Sequence, residues 1–492
     1  MIPVWVPDGP WIDGQRHDGA ASPLDVESPS QGAVFATIGA SGTPDVGRAV
    51  ASAQAAFQDR RWRGIPVLER QRVLGRAAEA LRAHDGELAT LIANEMGMPE
   101  TAARYVEVPY AAGVLDYYAG LVASVGGETL PVDIPGVEPA FHVFTTRRPV
   151  EVAALITPWN FPLLLPVWKV AAALAAGTAV VLKPAPEAPL TSLALVSLLE
   201  SAGVPPGVVN VLPGGDRVGA ELCAHPGVRH ISFTGSTAVG REVAAQAGQG
   251  LKRVQLELGG KSPALVFADA DLENAVSQCL FGVYFNSGQV CQAASRVLVH
   301  QSQYDAFLEQ FTARADALRV GAATDPDADL GPVVRENQLS VIQGHVDRAL
   351  AGGARCLMGG HALPGPGYFY APTVLADVSA ELSAFQEELF GPVAVVTPFA
   401  TDAEAVALAN ATPYGLAAAV FTSNLRRALS ISGELAAGTV WVNTSQMQSP
   451  TVPFGGMKAS GLGRELGRAG LEEFLDTQAT WVDLHEAPPT YF

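Results

Sequence analysis

Two rhythms of apolar positions divide the chain. From Thr43 to Asn94 apolar residues recur at helical spacing, with Val73, Leu74, Ala77, Ala78 and Leu81 on one stripe and charges opposite, which predicts a covering layer of amphipathic helices. Between Val152 and Leu258 the pattern becomes short all-apolar runs alternating with helical segments: VAALIT, a helix from Val167 to Ala176 stopped by Gly177, AVVLK, a helix from Thr191 to Ala202, VVNVL and HISFT. Strands apolar on both faces and spaced by helices predict a parallel sheet covered on both sides. A second alternation runs from Pro263 to Val442 through ALVF, RVLV, VAVVTP, AAAVF and TVWVN. The expected fold is α/β, with two doubly wound parallel-sheet domains and a cleft between them as the natural site.

Two segments stand outside this rhythm. The glycine- and proline-rich break GGETLPVDIPG (Gly126 to Gly136) precedes the alternating HVFTTRRPV, which reads as an exposed strand, and TQATWVDL (Thr477 to Leu484) is a second isolated strand. Neither has much core of its own. They are expected to pair, within or between subunits, which points to an oligomer.

Composition narrows the class. A chain of 492 residues with 48% hydrophobic content is long enough for about three units. The net charge of −18, with no basic cluster, argues against nucleic-acid binding. Four cysteines without a CxxC pair argue against a disulfide framework or structural zinc and favour a reducing, cytoplasmic setting. The N-terminus lacks the basic and apolar regions of a secretory signal. Leu163 to Leu182 is long and apolar enough to raise a membrane span, but it contains Pro166, Lys169 and Gly177 and reads as a buried helix followed by a strand. Only five of the 31 basic residues are lysines, and Lys169, Lys183, Lys261 and Lys458 sit in otherwise apolar stretches, where a compact ammonium can do what a guanidinium cannot.

Several motifs carry candidate chemistry. FNSGQVC (Phe285 to Cys291) follows an apolar helix, and its small polar residues allow a sharp turn that presents the thiol of Cys291 to a cavity. Cys223, Cys279 and Cys356 read as inert core. ISFTGSTAVGR (Ile231 to Arg241) is a strand, a glycine turn and a helix start, which suits either an anion at Ser236 or an ordinary capped helix. Past another strand end, ITPWNFP offers the Asn160 amide as an oxyanion donor or a turn cap. Lys183 ends the next strand at the same edge, which makes it a candidate for ribose hydroxyls. LELGGKSP places Glu257 at a strand end, as a general base or a cap.

Taken together, TPWNFPLLLPVWK, FTGSTAVGR, LELGGKSP, NSGQVC, EELFGPV and PFGGMKASGLGRE, in that order, resemble the NAD(P)-dependent aldehyde dehydrogenase superfamily over roughly Trp11 to Leu484. The resemblance implies Cys291 as nucleophile, Glu257 as base, Asn160 with the Cys291 backbone N–H as oxyanion hole, and Lys169 and Glu465 as a polar path behind Glu257. It implies a thiohemiacetal, hydride transfer to nicotinamide, a thioester and its hydrolysis, with no metal. Cofactor contacts are implied for Ile156, Thr157, Pro158 and Trp159, for Lys183 and Glu187, and for Gly215 and Gly219. Ser236 would meet the pyrophosphate, Phe233, Gly235, Val239, Leu258, Gly259 and Phe390 would complete the groove, and Glu388 would hold the nicotinamide ribose hydroxyls.

The same comparison divides the chain into a cofactor domain (1–125 and 147–259, completed by part of 443–476), a catalytic domain (260–442) and an oligomerisation arm (126–146 and 477–492), with a tetramer expected before a dimer. One departure stands out. Many NAD-preferring relatives carry a glutamate three residues after the lysine matching Lys183; here that position is Pro186, with Glu187 following. The absence of arginine from this loop favours NAD, with NADP next. On the substrate side Phe161, Trp168, Phe285 and Phe454 suggest an aromatic wall, with Leu165, Val290, Gln292, Met447 and Gln448 beside it. No cation stands in TSQMQSPTV (Thr444 to Val452) to anchor a carboxylate, so an uncharged aliphatic or aromatic aldehyde is expected. A CoA-acylating relative, which would share Cys291, and a catalytically inactive member of the fold are the alternatives; Glu257, a base that thioester transfer to a thiol does not need, argues against the first, and the presence of Cys291, Glu257 and Lys183 together argues against the second.

Overall fold

The computed structural model describes residues 2–135 and 140–486 and contains two large sheets. In the eight-stranded sheet, five parallel strands lie in the order Arg253–Glu257, His230–Thr234, Val152–Ile156, Ala179–Lys183 and Val209–Val211. Gly461–Leu462 adds antiparallel at one edge, and Trp11–Ile12 with Gln15–Arg16 at the other. The central strand shows why the sequence is apolar without alternation. Ala153 and Leu155 pack with Val73, Leu74 and Val167 on one face, while Val152, Ala154 and Ile156 pack with Val46, Ala49 and Val218 on the other. Side chains alternate between faces, and both faces are covered by helices.

The seven-stranded sheet is built from strands between Pro263 and Val442, all parallel except the edge strand Arg355–Met358. Ala264 and Val266 face one core and Leu265 the other. The predicted helix at Val167 begins earlier, at Leu164, because Pro166 sits in the first turn, where its missing N–H costs nothing. Cys223 and Cys279 are buried, but Cys356 is exposed, contrary to its reading as core, because it lies on that antiparallel edge strand.

The two isolated strands pair with each other. Phe141–Pro149 and Leu475–Asp483 run antiparallel through nine matched pairs within one chain, with Thr129–Leu130 on the far side. Parts of the predicted arm, 136–139 and 487–492, lie outside the described residues. The hairpin Ala21–Ser28 with Ala33–Ala40 had no clear signature in the apolar pattern. Among the described residues no helix is long and apolar enough to cross a membrane.

Candidate active site

Cys291 is delivered by a backbone that turns back on itself. Helix Leu272–Tyr284 runs into the short turn Phe285–Gly288, where Asn286 (φ 51°) and Ser287 (φ 54°) both take the left-handed conformation. Such residues cost about 1 to 3 kcal/mol each and persist only where the surroundings hold them. Here Ser287 Oγ donates to the Gly331 carbonyl at 2.7 Å, and Asn286 Nδ2 donates to the Asn160 carbonyl at 3.1 Å. Gln289 donates to the carbonyls of Asn286 and Pro332 and accepts the Val334 N–H at 2.9 Å. Gly288 passes so close to Gly391 that a Cβ would stand 2.1 Å from its carbonyl oxygen.

The same turn orients Asn160. Its Nδ2 donates to the Gln289 carbonyl at 2.9 Å, which commits one amide hydrogen and leaves the other without a partner among the described residues. Burial pushes the Cys291 thiol well above the usual range, and the nearby carboxyls of Glu388 and Glu257 push the same way.

Glu257 is buried at the end of its strand, and neither carboxylate oxygen has a hydrogen-bond partner among the described residues. It lies against Gly455, where a Cβ would come within 2.7 Å of Oε1, so only glycine leaves room. Burial raises its pKa well above the carboxylate range, the charge of Glu465 adds to this, and Lys169 opposes it. Lys169 and Glu465 form a fully buried ion pair, and Lys169 Nζ also donates to Ser232 Oγ at 2.9 Å. Ser232 passes the chain on to Gln255 at 2.6 Å.

The carboxyl edge of the eight-stranded sheet brings the other predicted groups side by side. The Thr157 N–H donates to the Lys183 carbonyl at 3.1 Å, which ties the Thr157–Asn160 loop to the next strand. Lys183 Nζ is buried with one partner among the described residues, the Pro184 carbonyl at 3.0 Å, and burial pulls its pKa down to about 8 against Glu187 and Asp216. Gly219 lies over it, with a Cβ position 3.5 Å from Lys183 Cδ and 3.9 Å from Ile156 Cδ1. Gly215 caps the helix Asp216–Ala224, and Ser236 caps Thr237–Gln249, its Oγ accepting the Val239 N–H at 3.3 Å. Capping uses a lone pair of Ser236 and leaves its proton to donate. Gly235 lies against the Phe233 ring, and Leu258 packs on Gly240 of the same helix.

Opposite this edge, Glu388 Oε1 accepts the Gly260 N–H at 3.0 Å, and burial raises its pKa to about 7. Its other oxygen reaches Gly259, where a Cβ would meet it at 2.6 Å. Phe390 meets Trp159 edge to face at 5.3 Å. Gln338, which the sequence reading passed over, holds this turn by donating to the carbonyls of Leu389 and Phe390 at 2.8 and 3.1 Å.

A cavity of about 510 Å³ opens beside Cys291. Phe161, Leu165, Trp168, Phe285, Val290, Gln292, Met447 and Gln448 line it, as do Tyr105, Val106, Tyr110 and Phe281, which sequence reasoning missed. Phe454 stands behind Trp168, at 5.5 Å between rings, and does not line it. Tyr105 and Val106 arrive on a π-helical turn, Ala103–Glu107, whose Glu107 accepts the N–H groups of Leu163 and Leu164 at 2.9 and 3.1 Å. That lone carboxylate among apolar residues was the available signal for this segment. Among the described residues the lining carries no Asp, Glu, Lys, Arg or His. Its three glutamines form an amide chain, with Gln448 donating to Gln292 and Gln292 to Gln446, each at 2.7 Å.

Comparison with known proteins gives one result throughout. Residues 15–480 match the sequence model of the Aldehyde dehydrogenase family. A phenylacetaldehyde dehydrogenase of Pseudomonas fluorescens is 41% identical, covering 96% of this chain and 94% of its own. A betaine aldehyde dehydrogenase of Cereibacter sphaeroides is 39% identical over 98% of both chains. Among solved structures, the NAD+ complex of an aldehyde dehydrogenase from Bacillus cereus superposes with a TM-score of 0.95 at 35% identity, covering 97% of both chains.

Proposed function

Since the chain belongs to the aldehyde dehydrogenase family, we propose that it oxidises an uncharged arylalkyl or medium-chain aliphatic aldehyde to the carboxylic acid through a thioester on Cys291, with NAD as cofactor. The observation that carries this reading is the uncharged, aromatic-walled cavity with Cys291 on its surface.

The carboxyl edge of the first sheet fits a dinucleotide. Lys183 is buried with two donor positions unused, Gly219 leaves room above it, and the capped helix at Ser236 points backbone N–H groups outward. Lys183 and Glu187 would hold the adenosine end and Glu388 the nicotinamide end. Bound NAD supplies the hydride acceptor.

The chain's own groups supply the rest. The Cys291 thiol gives up its proton to solvent, the thiolate sulfur bonds to the aldehyde carbon as the C=O π electrons move to oxygen, and the new alkoxide meets the free Asn160 N–H and the Cys291 backbone N–H, donors already in place before charge develops. Loss of hydride from that carbon leaves the acyl thioester. Glu257 takes a proton from water, the hydroxide displaces the Cys291 sulfur, and the acid departs. Glu465 and Lys169 act on Glu257 through charge, the carboxylate raising its pKa and the ammonium lowering it.

The exposed Trp481 and Leu484 on or next to the C-terminal strand support a homo-oligomer. Four free cysteines support a reducing, cytoplasmic setting.

The test is a panel of aldehydes with NAD, read as NADH absorbance. Phenylacetaldehyde and medium-chain aldehydes should exceed succinic semialdehyde in kcat/KM by roughly tenfold or more, because the cavity offers a carboxylate no charged partner. A preference for the semialdehyde would overturn the assignment of substrate class. Absence of NADH formation with every aldehyde would overturn the function.

A further inference from the structure

Glu187 and Arg335 lie 148 positions apart, yet Arg335 Nη1 stands 2.5 Å from Glu187 Oε1. Glu187 belongs to the loop after the strand Ala179–Lys183, and its charge is felt at the Lys183 ammonium. Arg335 is the residue that caps Glu336–Ala351, the same helix that holds the turn of Glu388 and Phe390 through Gln338. The loop itself contains no arginine, but the fold brings one to it from the other half of the chain.

We propose that Arg335 is a specificity-determining residue that gives the adenosine end of the cofactor site a cation for a 2′-phosphate, so that the protein accepts NADP as well as NAD. The inference rests on the cofactor-site reading of Lys183 given above.

Three observations support it. Glu187 is the only carboxylate between Lys183 and Leu190, so it is the group on that loop that would repel a 2′-phosphate, and Arg335 neutralises it. The Glu187 side chain is 17% exposed while that of Arg335 is 50% exposed, so the cation is the more open member of the pair. A guanidinium has five N–H donors, and Glu187 engages one of them. A phosphate can therefore share the guanidinium or displace the carboxylate, and the bonds formed are charge-assisted on both sides. Lys183 supplies a second cation on the loop, with Asp216 as its other nearby carboxylate.

The experiment needs no turnover. The full-length, cofactor-free protein is titrated calorimetrically with 5′-AMP and with 2′,5′-ADP, which differ only in the 2′-phosphate. The parent should bind 2′,5′-ADP at least as tightly as 5′-AMP. Arg335→Ala should lower the affinity ratio of 2′,5′-ADP to 5′-AMP by about tenfold or more, the scale of a lost hydrogen bond to a charged group. Arg335→Lys should retain part of the ratio, and Glu187→Gln should raise it by releasing the guanidinium. A ratio insensitive to Arg335→Ala, or a parent that binds 5′-AMP and not 2′,5′-ADP, overturns the proposal and leaves the NAD-dependent reading intact. A parent that binds neither nucleotide overturns both.

Discussion

Replacing Cys291 with alanine should reduce aldehyde-dependent NADH formation by roughly four orders of magnitude or more, the scale seen when an enzyme loses its covalent nucleophile. Cys223→Ala, Cys279→Ala and Cys356→Ala should stay within a few-fold of the parent. Two of these thiols are sealed in the cores, and the third lies exposed on an edge strand with its Sγ 3.2 Å from the Met358 carbonyl. Turnover by the Cys291 variant near that of the parent would end the covalent mechanism.

The electrostatics add a second readout for Cys291. With burial and the carboxyls of Glu388, Glu257 and Glu465 raising its pKa, the thiolate is gained only as pH rises beyond the ordinary thiol range. In cofactor-free protein, alkylation of Cys291 by iodoacetamide should climb with pH and still be rising at about pH 9, beyond the midpoint of an ordinary thiol. A plateau near neutral pH would mean that some group stabilises the thiolate at rest.

Replacing Glu257 with glutamine separates the two halves of the reaction. The amide keeps the shape but cannot accept a proton, and general-base catalysis is typically worth roughly 10²- to 10⁴-fold, so steady-state turnover should fall on that scale. If Glu257 acts on water, rapid mixing with NAD and aldehyde should still release up to one NADH per site, and mass spectrometry of the quenched protein should find the acyl group on Cys291. Neither burst nor adduct would place Glu257 before hydride loss, as the base that activates the thiol. Full activity would remove it from the mechanism.

The pH profile carries the same information. Burial and Glu465 raise the Glu257 pKa, so the competent carboxylate form is gained as pH rises through that raised value. Steady-state turnover limited by hydrolysis should increase over the same range, and the Glu257→Gln variant should lose that rising limb.

The sequence by itself determined the layers and the chemistry-bearing corners. Continuous apolar strands such as Val152–Ile156 are stable only when both faces are covered, so alternation with helices already required a doubly wound sheet. Strand ends at Ile156, Lys183 and Glu257, followed by proline or glycine, marked where the loops leave the sheet edge, because those residues stop the strand locally.

Tertiary structure decided what depends on groups far apart in the chain. That Phe141–Pro149 pairs with Leu475–Asp483 inside one subunit was open in the sequence, since either strand could match any complementary edge. The π-helical turn that carries Tyr105 and Val106 to the cavity is tied through Glu107 to the N–H groups of Leu163 and Leu164, and Phe454 stands behind Trp168 of the helix Leu164–Ala176. The charge environment was the least legible part. Whether Lys183, Glu257 and Cys291 hold their charges depends on burial and on partners drawn from several strands, and the arginine that meets Glu187 comes from 148 positions away. A linear pattern records which side chains are available, but solvent exclusion and long-range Coulomb contact exist only once the two sheets have been brought together.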